Sequence, residues 1–133
     1  MRVIVDTSVW SEYFRRKTES KSGNIKSLKT LIQEGRAVMP GVVKQELLSG
    51  IRNRERFQKL LNLLSGFEPL LASESDHILA ARYFNDCRSK GVQGSFIDFL
   101  ICAQATNSKM SILTSDKDFE NYRNVIPVRI WED

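Results

Sequence analysis

The chain has 133 residues, 41% hydrophobic and 27% charged, with 20 Lys and Arg against 16 Asp and Glu for a formal net charge of +4. That describes one domain, residues 1–133, long enough to bury roughly two-thirds of its unfolded surface without staples. Seven glycines and three prolines exclude a disordered or collagen-like chain, coiled coil is excluded as well, and +4 leans only weakly toward a polyanionic partner.

Val3–Val5 is a β-branched run followed by Asp6-Thr7-Ser8, then Val9, Trp10, Tyr13 and Phe14 at helical spacing, which reads strand, turn, helix. A polar, charged connection leads to Ile25, Leu28, Leu31 and Ile32, a helix that Gly35 ends. Ala37-Val38-Met39 is a second strand closed by Pro40-Gly41; a short helix then runs to Gly50 and a longer one, carrying Phe57, Leu60, Leu61, Leu63 and Leu64, to Gly66. Residues 67–71 read as a third strand, and Ile78, Leu79, Ala81, Tyr83 and Phe84 as a helix reaching about Gly91 with Arg82 on its solvent side. A helix through Ile97, Ile101 and Ala105, a strand over 111–114, a short helix with Phe119 and Tyr122 and a last strand over 128–130 complete the chain. Strands apolar on both faces and separated by helices predict an α/β fold, a mostly parallel sheet covered on both sides.

Cys87 and Cys102 fall inside apolar helical patterns without metal-type spacing, so a reducing cytoplasm is expected rather than a disulfide framework or a zinc site. No segment approaches the ~20 apolar residues of a membrane span, and the opening Arg2-Val3-Ile4-Val5-Asp6 has no signal-peptide pattern. The expected protein is soluble, with no membrane partner.

In a parallel α/β sheet the ligand site lies beyond the carboxyl ends of the strands, where Asp6 and Asp116 fall. Either acid can also serve simply as a helix N-cap. Asp98 shares a helical face with Ile101, Cys102 and Ala105, where a carboxylate is costly unless compensated; the competing reading is the capping motif Ser95-Phe96-Ile97-Asp98. Glu46 shares a face with Val42, Val43 and Gly50, against the alternative of a solvated or snorkelling side chain. Four such acids read as a buried carboxylate cluster, and hard oxygen ligands favour Mg²⁺ or Mn²⁺ over zinc. His77, the one histidine, excludes His-pair chemistry and stands at a helix start after Ser75-Asp76, where a capping or solvated role is expected. Neither G-x-x-x-x-G-K-[ST] nor G-x-G-x-x-G occurs, which argues against a nucleotide-cofactor enzyme.

Asp6-Thr7-Ser8-Val9-Trp10, Glu46-Leu47-Leu48-Ser49-Gly50 with Arg52, residues 98–105 (DFLICAQA) and Thr114-Ser115-Asp116-Lys117-Asp118-Phe119 resemble, in order and spacing over nearly the whole chain, the motifs of PIN-domain ribonucleases. The resemblance is greatest to the VapC toxins of prokaryotic toxin-antitoxin pairs. Cys102 departs from the alanine usual in the family, and Phe96 places an aromatic residue before Asp98. The resemblance implies an acidic pocket of Asp6, Glu46, Asp98 and Asp116, catalytic and metal-holding, with Asp118 as a further or water-mediated ligand and Ser8 as an accessory. It also implies an Mg²⁺- or Mn²⁺-dependent endoribonuclease, an RNA substrate cut to a 5′-phosphate and a 3′-hydroxyl, and a small cognate antitoxin; a homodimer is expected. Arg15, Arg16, Lys17, Lys21, Arg52, Arg54 and Arg56 are candidates for phosphate contacts, against a merely solvated surface. The competing functions are a housekeeping PIN-domain RNA-processing nuclease and a non-catalytic RNA- or protein-binding module, the latter disfavoured because all four acids are present.

Overall fold

The computed structural model describes residues 1–15 and 23–132. Four strands, β1 (Val3–Val5), β2 (Ala37–Pro40), β3 (Pro69–Leu70) and β4 (Ser111–Leu113), form one parallel sheet in the order β3-β2-β1-β4. Among the described residues seven helices lie between and after them: α1 (Thr7–Arg15), α2 (Gly23–Gln33), α3 (Gly41–Leu48), α4 (Arg54–Leu64), α5 (Glu74–Ser89), α6 (Phe96–Asn107) and α7 (Asp118–Arg123).

The strand order explains the layering. From β1 to β2 to β3 the chain moves one way across the sheet, and from β3 it crosses back past β1 to β4. Right-handed crossovers therefore put α1 to α4 on one face and α5 and α6 on the other, matching the packing of α1 on α2 and α3, and of α5 on α6. With both faces covered, β1 is buried at all three residues and the core runs through Ile4, Trp10, Leu28, Phe99, Ile112 and Tyr122. Order reverses beside β1, between β2 and β4, so the crevice beyond the carboxyl ends of β1 and β4 is the place this topology leaves for a ligand.

Two expected strands are shorter than the pattern suggests. Phe67 belongs to the turn that closes α4, its N–H bonded to the Leu64 carbonyl, and Pro69 has no N–H to donate, so β3 is a two-residue edge strand. Of residues 128–130, only Ile130 pairs, through a single parallel bridge to Ile112; the Val128 N–H turns back to the Ile126 carbonyl at 2.9 Å instead of entering the ladder. Gly35, at φ 69°, ends α2 with the Arg36 N–H on the Leu31 carbonyl and its own N–H on that of Ile32, the left-handed closure that glycine takes without strain.

Candidate metal centre

The site starts from β1. Its ladder to β4 continues through the Asp6 N–H to the Leu113 carbonyl at 2.9 Å, which leaves Asp6 at the sheet's carboxyl end, immediately before α1, and 3% exposed. Burial raises the carboxyl's pKa above its usual value of 3.8, while hydrogen bonds from Ser8, Thr114 and the Thr7 and Ser8 backbone oppose that rise. Two hydroxyls hold it. Ser8 Oγ donates to Asp6 Oδ2 at 2.7 Å and accepts the Ser115 N–H at 3.0 Å; Thr114 Oγ1 donates to the same oxygen at 2.8 Å and accepts the Asp116 N–H at 2.9 Å. Asp6 also accepts the Ser8 N–H at 3.4 Å, a long capping bond, so the cap is a minor part of what the side chain does.

The loop after β4 is thereby tied to β1 and presents Asp116 and Asp118. Asp116 Oδ1 accepts the Asp118 N–H at 2.9 Å, so Asp116 both organises the start of α7 and faces the crevice. Asn24, in the first turn of α2, fastens the loop from its other side, donating to the Thr114 carbonyl at 3.2 Å and to Ser115 Oγ at 2.8 Å.

Asp98 arrives from α6. Ser95 caps that helix by accepting the Asp98 N–H at 3.0 Å, but the reciprocal half of the box is not formed; the Asp98 carboxylate turns to Tyr122, whose hydroxyl donates to Oδ2 at 2.7 Å. Single ligand oxygens of Asp98, Asp116 and Asp118 lie within 4.8 Å of one another. The Asp98 pKa is raised to about 6, first by burial and then by the negative charges of Asp6 and Asp116, against the lowering effect of hydrogen bonds from Tyr122 and Ser95. Three convergent carboxylates, one held half-protonated near pH 6, are a donor set that suits a hard divalent cation.

Glu46 is exposed on α3 and outside the three-carboxylate group; that short helix buries only Val43 fully, so the inward face expected for Glu46 does not form. Arg15, Arg52, Arg54 and Arg56 are exposed, while Arg16, Lys17 and Lys21 lie outside the described residues. His77 is exposed on α5 and lines a largely apolar cavity of about 560 Å³ with Phe84, Phe96 and Leu100. Tyr122, Asn24 and Thr114 are the site residues that sequence reasoning passed over, Thr114 standing only within a motif. The spacing of Tyr122 four residues after Asp118, hence on the same face of α7, was the signal available.

The sequence profile of the PIN domain matches residues 3–125. Among solved structures, the fold is similar to VapBC2 from Rickettsia felis bound to a DNA fragment from its promoter (TM-score 0.79, 17% identity, covering 99% of this chain and 100% of that one). It is similar also to FitAcB from Neisseria gonorrhoeae (TM-score 0.75, 20% identity, 98% and 96%). A third is VapBC-5 from Mycobacterium tuberculosis, of the VapBC family of toxin-antitoxin systems (TM-score 0.71, 19% identity, 99% and 98%). No curated protein sequence matches the chain.

Proposed function

This chain belongs to the PIN-domain family, and from that premise we propose that it is a cytoplasmic, Mg²⁺- or Mn²⁺-dependent endoribonuclease, the toxin of a VapBC-type pair. The observation that carries the reading is the convergence of Asp98, Asp116 and Asp118 beside buried Asp6 at the carboxyl end of the sheet.

In this reading Asp98, Asp116 and Asp118, with Asp6, would hold the cation, which when bound would acidify a water and offset charge on the phosphodiester oxygens. The protein's own contribution is positional. Ser8 and Thr114 fix the Asp6 carboxylate and, through the Ser115 and Asp116 N–H groups, the loop bearing two further acids. The exposed guanidinium groups of Arg15 and Arg52 contact phosphates along the strand, with Arg16 and Lys17 in the same role. Glu46 is proposed as an outlying acid, so Glu46→Gln weakens cleavage less than Asp98→Asn does. In-line attack by water leaves a 5′-phosphate and a 3′-hydroxyl, and the lone, exposed His77 has no part in it.

A toxin must be restrained. α4 offers the partner surface: it buries only Leu64 fully and leaves Phe57, Leu61 and Leu63 38%, 37% and 57% exposed. A small antitoxin whose apolar segment covers that helix, in an assembly built on a toxin homodimer, accounts for it. α2, in contrast, buries Ile25, Leu28 and Leu31 within the core.

The test is a cleavage assay on purified protein. RNA should be cut with Mg²⁺ or Mn²⁺, cutting should stop in chelator, and products should carry 5′-phosphates; undiminished cleavage in chelator, or 2′,3′-cyclic phosphate ends, overturns the mechanism. Expression alone should arrest growth, with relief on co-expression of the cognate antitoxin, whereas harmless expression of active enzyme points to a housekeeping nuclease.

A further inference from the structure

We propose that Tyr122 is a positioning residue for the metal centre: its buried hydroxyl, given room by the missing side chain at Gly94, holds the Asp98 carboxylate in the orientation that meets Asp116 and Asp118. The proposal rests on the reading of these carboxylates as a divalent-cation site.

Three observations support it. Tyr122 is fully buried, and its hydroxyl donates to Asp98 Oδ2 at 2.7 Å across 24 residues of sequence. Its ring is wedged between Phe99 and Phe119, at centroid distances of 4.9 and 5.1 Å, so the hydroxyl has little freedom to turn elsewhere. A Cβ built on Gly94 would stand 2.6 Å from that hydroxyl and 2.8 Å from the Phe99 ring. Glycine is needed there for space, because a Cβ would crowd both the hydroxyl and the Phe99 ring that packs against it.

The chemistry explains why a phenol suits the position. Carboxylates crowded together repel, and a free Asp98 would rotate away from its neighbours. One neutral donor satisfies part of Oδ2 and leaves most of the carboxylate's acceptor capacity for a cation. A lysine or arginine at this place would orient Asp98 equally well, but its charge would compete with the metal. Asp118 and Tyr122 project from one face of α7, so a single two-turn helix both contributes an acid and grips the acid of α6.

Mn²⁺ titration followed by the electron paramagnetic resonance of the free ion tests this on the full chain without reference to RNA. Tyr122→Phe keeps the ring packing and should bind Mn²⁺ on the order of 10-fold more weakly than the parent. Gly94→Ala alters no polar group, yet should weaken binding in the same direction. The double variant should be no weaker than Tyr122→Phe alone, since both act through one hydrogen bond. Parental Mn²⁺ affinity in folded Tyr122→Phe overturns the proposal, whatever happens to its melting temperature. A parent that binds no Mn²⁺ overturns the cation-site reading itself and the proposal with it, a result recognisable without any variant.

Discussion

Two helices, α5 and α6, are capped by the serine of a Ser-x-x-Asp segment and end with opposite chemistry. At α5, Ser73 Oγ accepts the Asp76 N–H while Asp76 Oδ2 accepts the Ser73 N–H at 2.9 Å, and Asn107 donates to the other carboxylate oxygen at 2.8 Å. Burial works against the charge of Asp76, but these bonds outweigh it and hold its pKa below 3.8. At α6 the same spacing leaves Asp98 turned to Tyr122 and pushed up to about 6. The signs of the linked stabilities therefore differ. Asp76 contributes stability above pH 3.8 that is lost as pH falls through its depressed folded value; ionised Asp98 costs stability, a cost that sets in as pH rises from about 3.8 to about 6. Asp76→Ala should destabilise the fold by about 1–2 kcal/mol in urea melts. Asp98→Asn should leave the metal-free protein at pH 7 as stable as the parent or more so, while abolishing cleavage. Melting temperatures of the metal-free parent should climb as pH falls from about 6 toward about 4, with Asp6 adding in the same direction, and Asp98→Asn should flatten the climb. A parent profile already flat over that range contradicts the burial argument.

Helix ends carry a second lesson, since the same closure is built twice with glycine, at Gly35 and Gly91, and once without it. Lys109 follows α6 at φ 56°, its N–H on the Thr106 carbonyl and the Met110 N–H on that of Ala105, the arrangement Gly35 adopts after α2. A lysine in the left-handed region is strained where glycine is not. Lys109→Gly should therefore stabilise the protein by about 0.5–1 kcal/mol, measured by denaturant melts, and Gly35→Ala should destabilise it by a similar amount. Apolar patterning marked α2 and α4 equally as amphipathic helices, yet α2 turns its stripe into the core and α4 leaves much of its own exposed. Periodicity specifies that a helix has an apolar face; the neighbouring elements decide what covers it.

For the molecule as a whole, the sheet's reversal beside β1 gathers acids that would not otherwise share a crevice. Burying and gathering them has a cost: burial raises the Asp6 carboxyl, and burial together with the charges of Asp6 and Asp116 raises that of Asp98. A cation that binds only the folded chain relieves that cost, and at a concentration 100-fold above its dissociation constant it adds about 2.7 kcal/mol. Scanning calorimetry with increasing Mg²⁺ should thus show a melting temperature that rises with concentration and falls back on addition of chelator. Indifference to both would mean that the cluster tolerates its own repulsion without a metal.

The amino-acid sequence by itself determined the kind and order of elements, because the signals are local: apolar periodicity of 2 or 3.6, and the punctuation at Gly35, Pro40-Gly41, Gly50 and Gly91. The alternation of strand and helix carried the parallel sheet, and the four motifs carried the family. Residues 67–71 and 128–130 form shorter ladders than their pattern suggests, since a strand's length depends on available N–H groups: Pro69 has none, and that of Val128 is bonded to the Ile126 carbonyl. Only the tertiary structure decided which acids meet. The links that organise the centre join residues far apart in the chain: Thr114 to Asp6 over 108 positions, Asn24 to Thr114 over 90 and Tyr122 to Asp98 over 24. No pattern within a helix distinguishes Asp98, freed for the crevice, from Asp76, folded back on its cap, or foretells that Glu46 stands in solvent. Those outcomes depend on which side chain another element brings within hydrogen-bond reach, a property of the packed fold rather than of any segment of the chain.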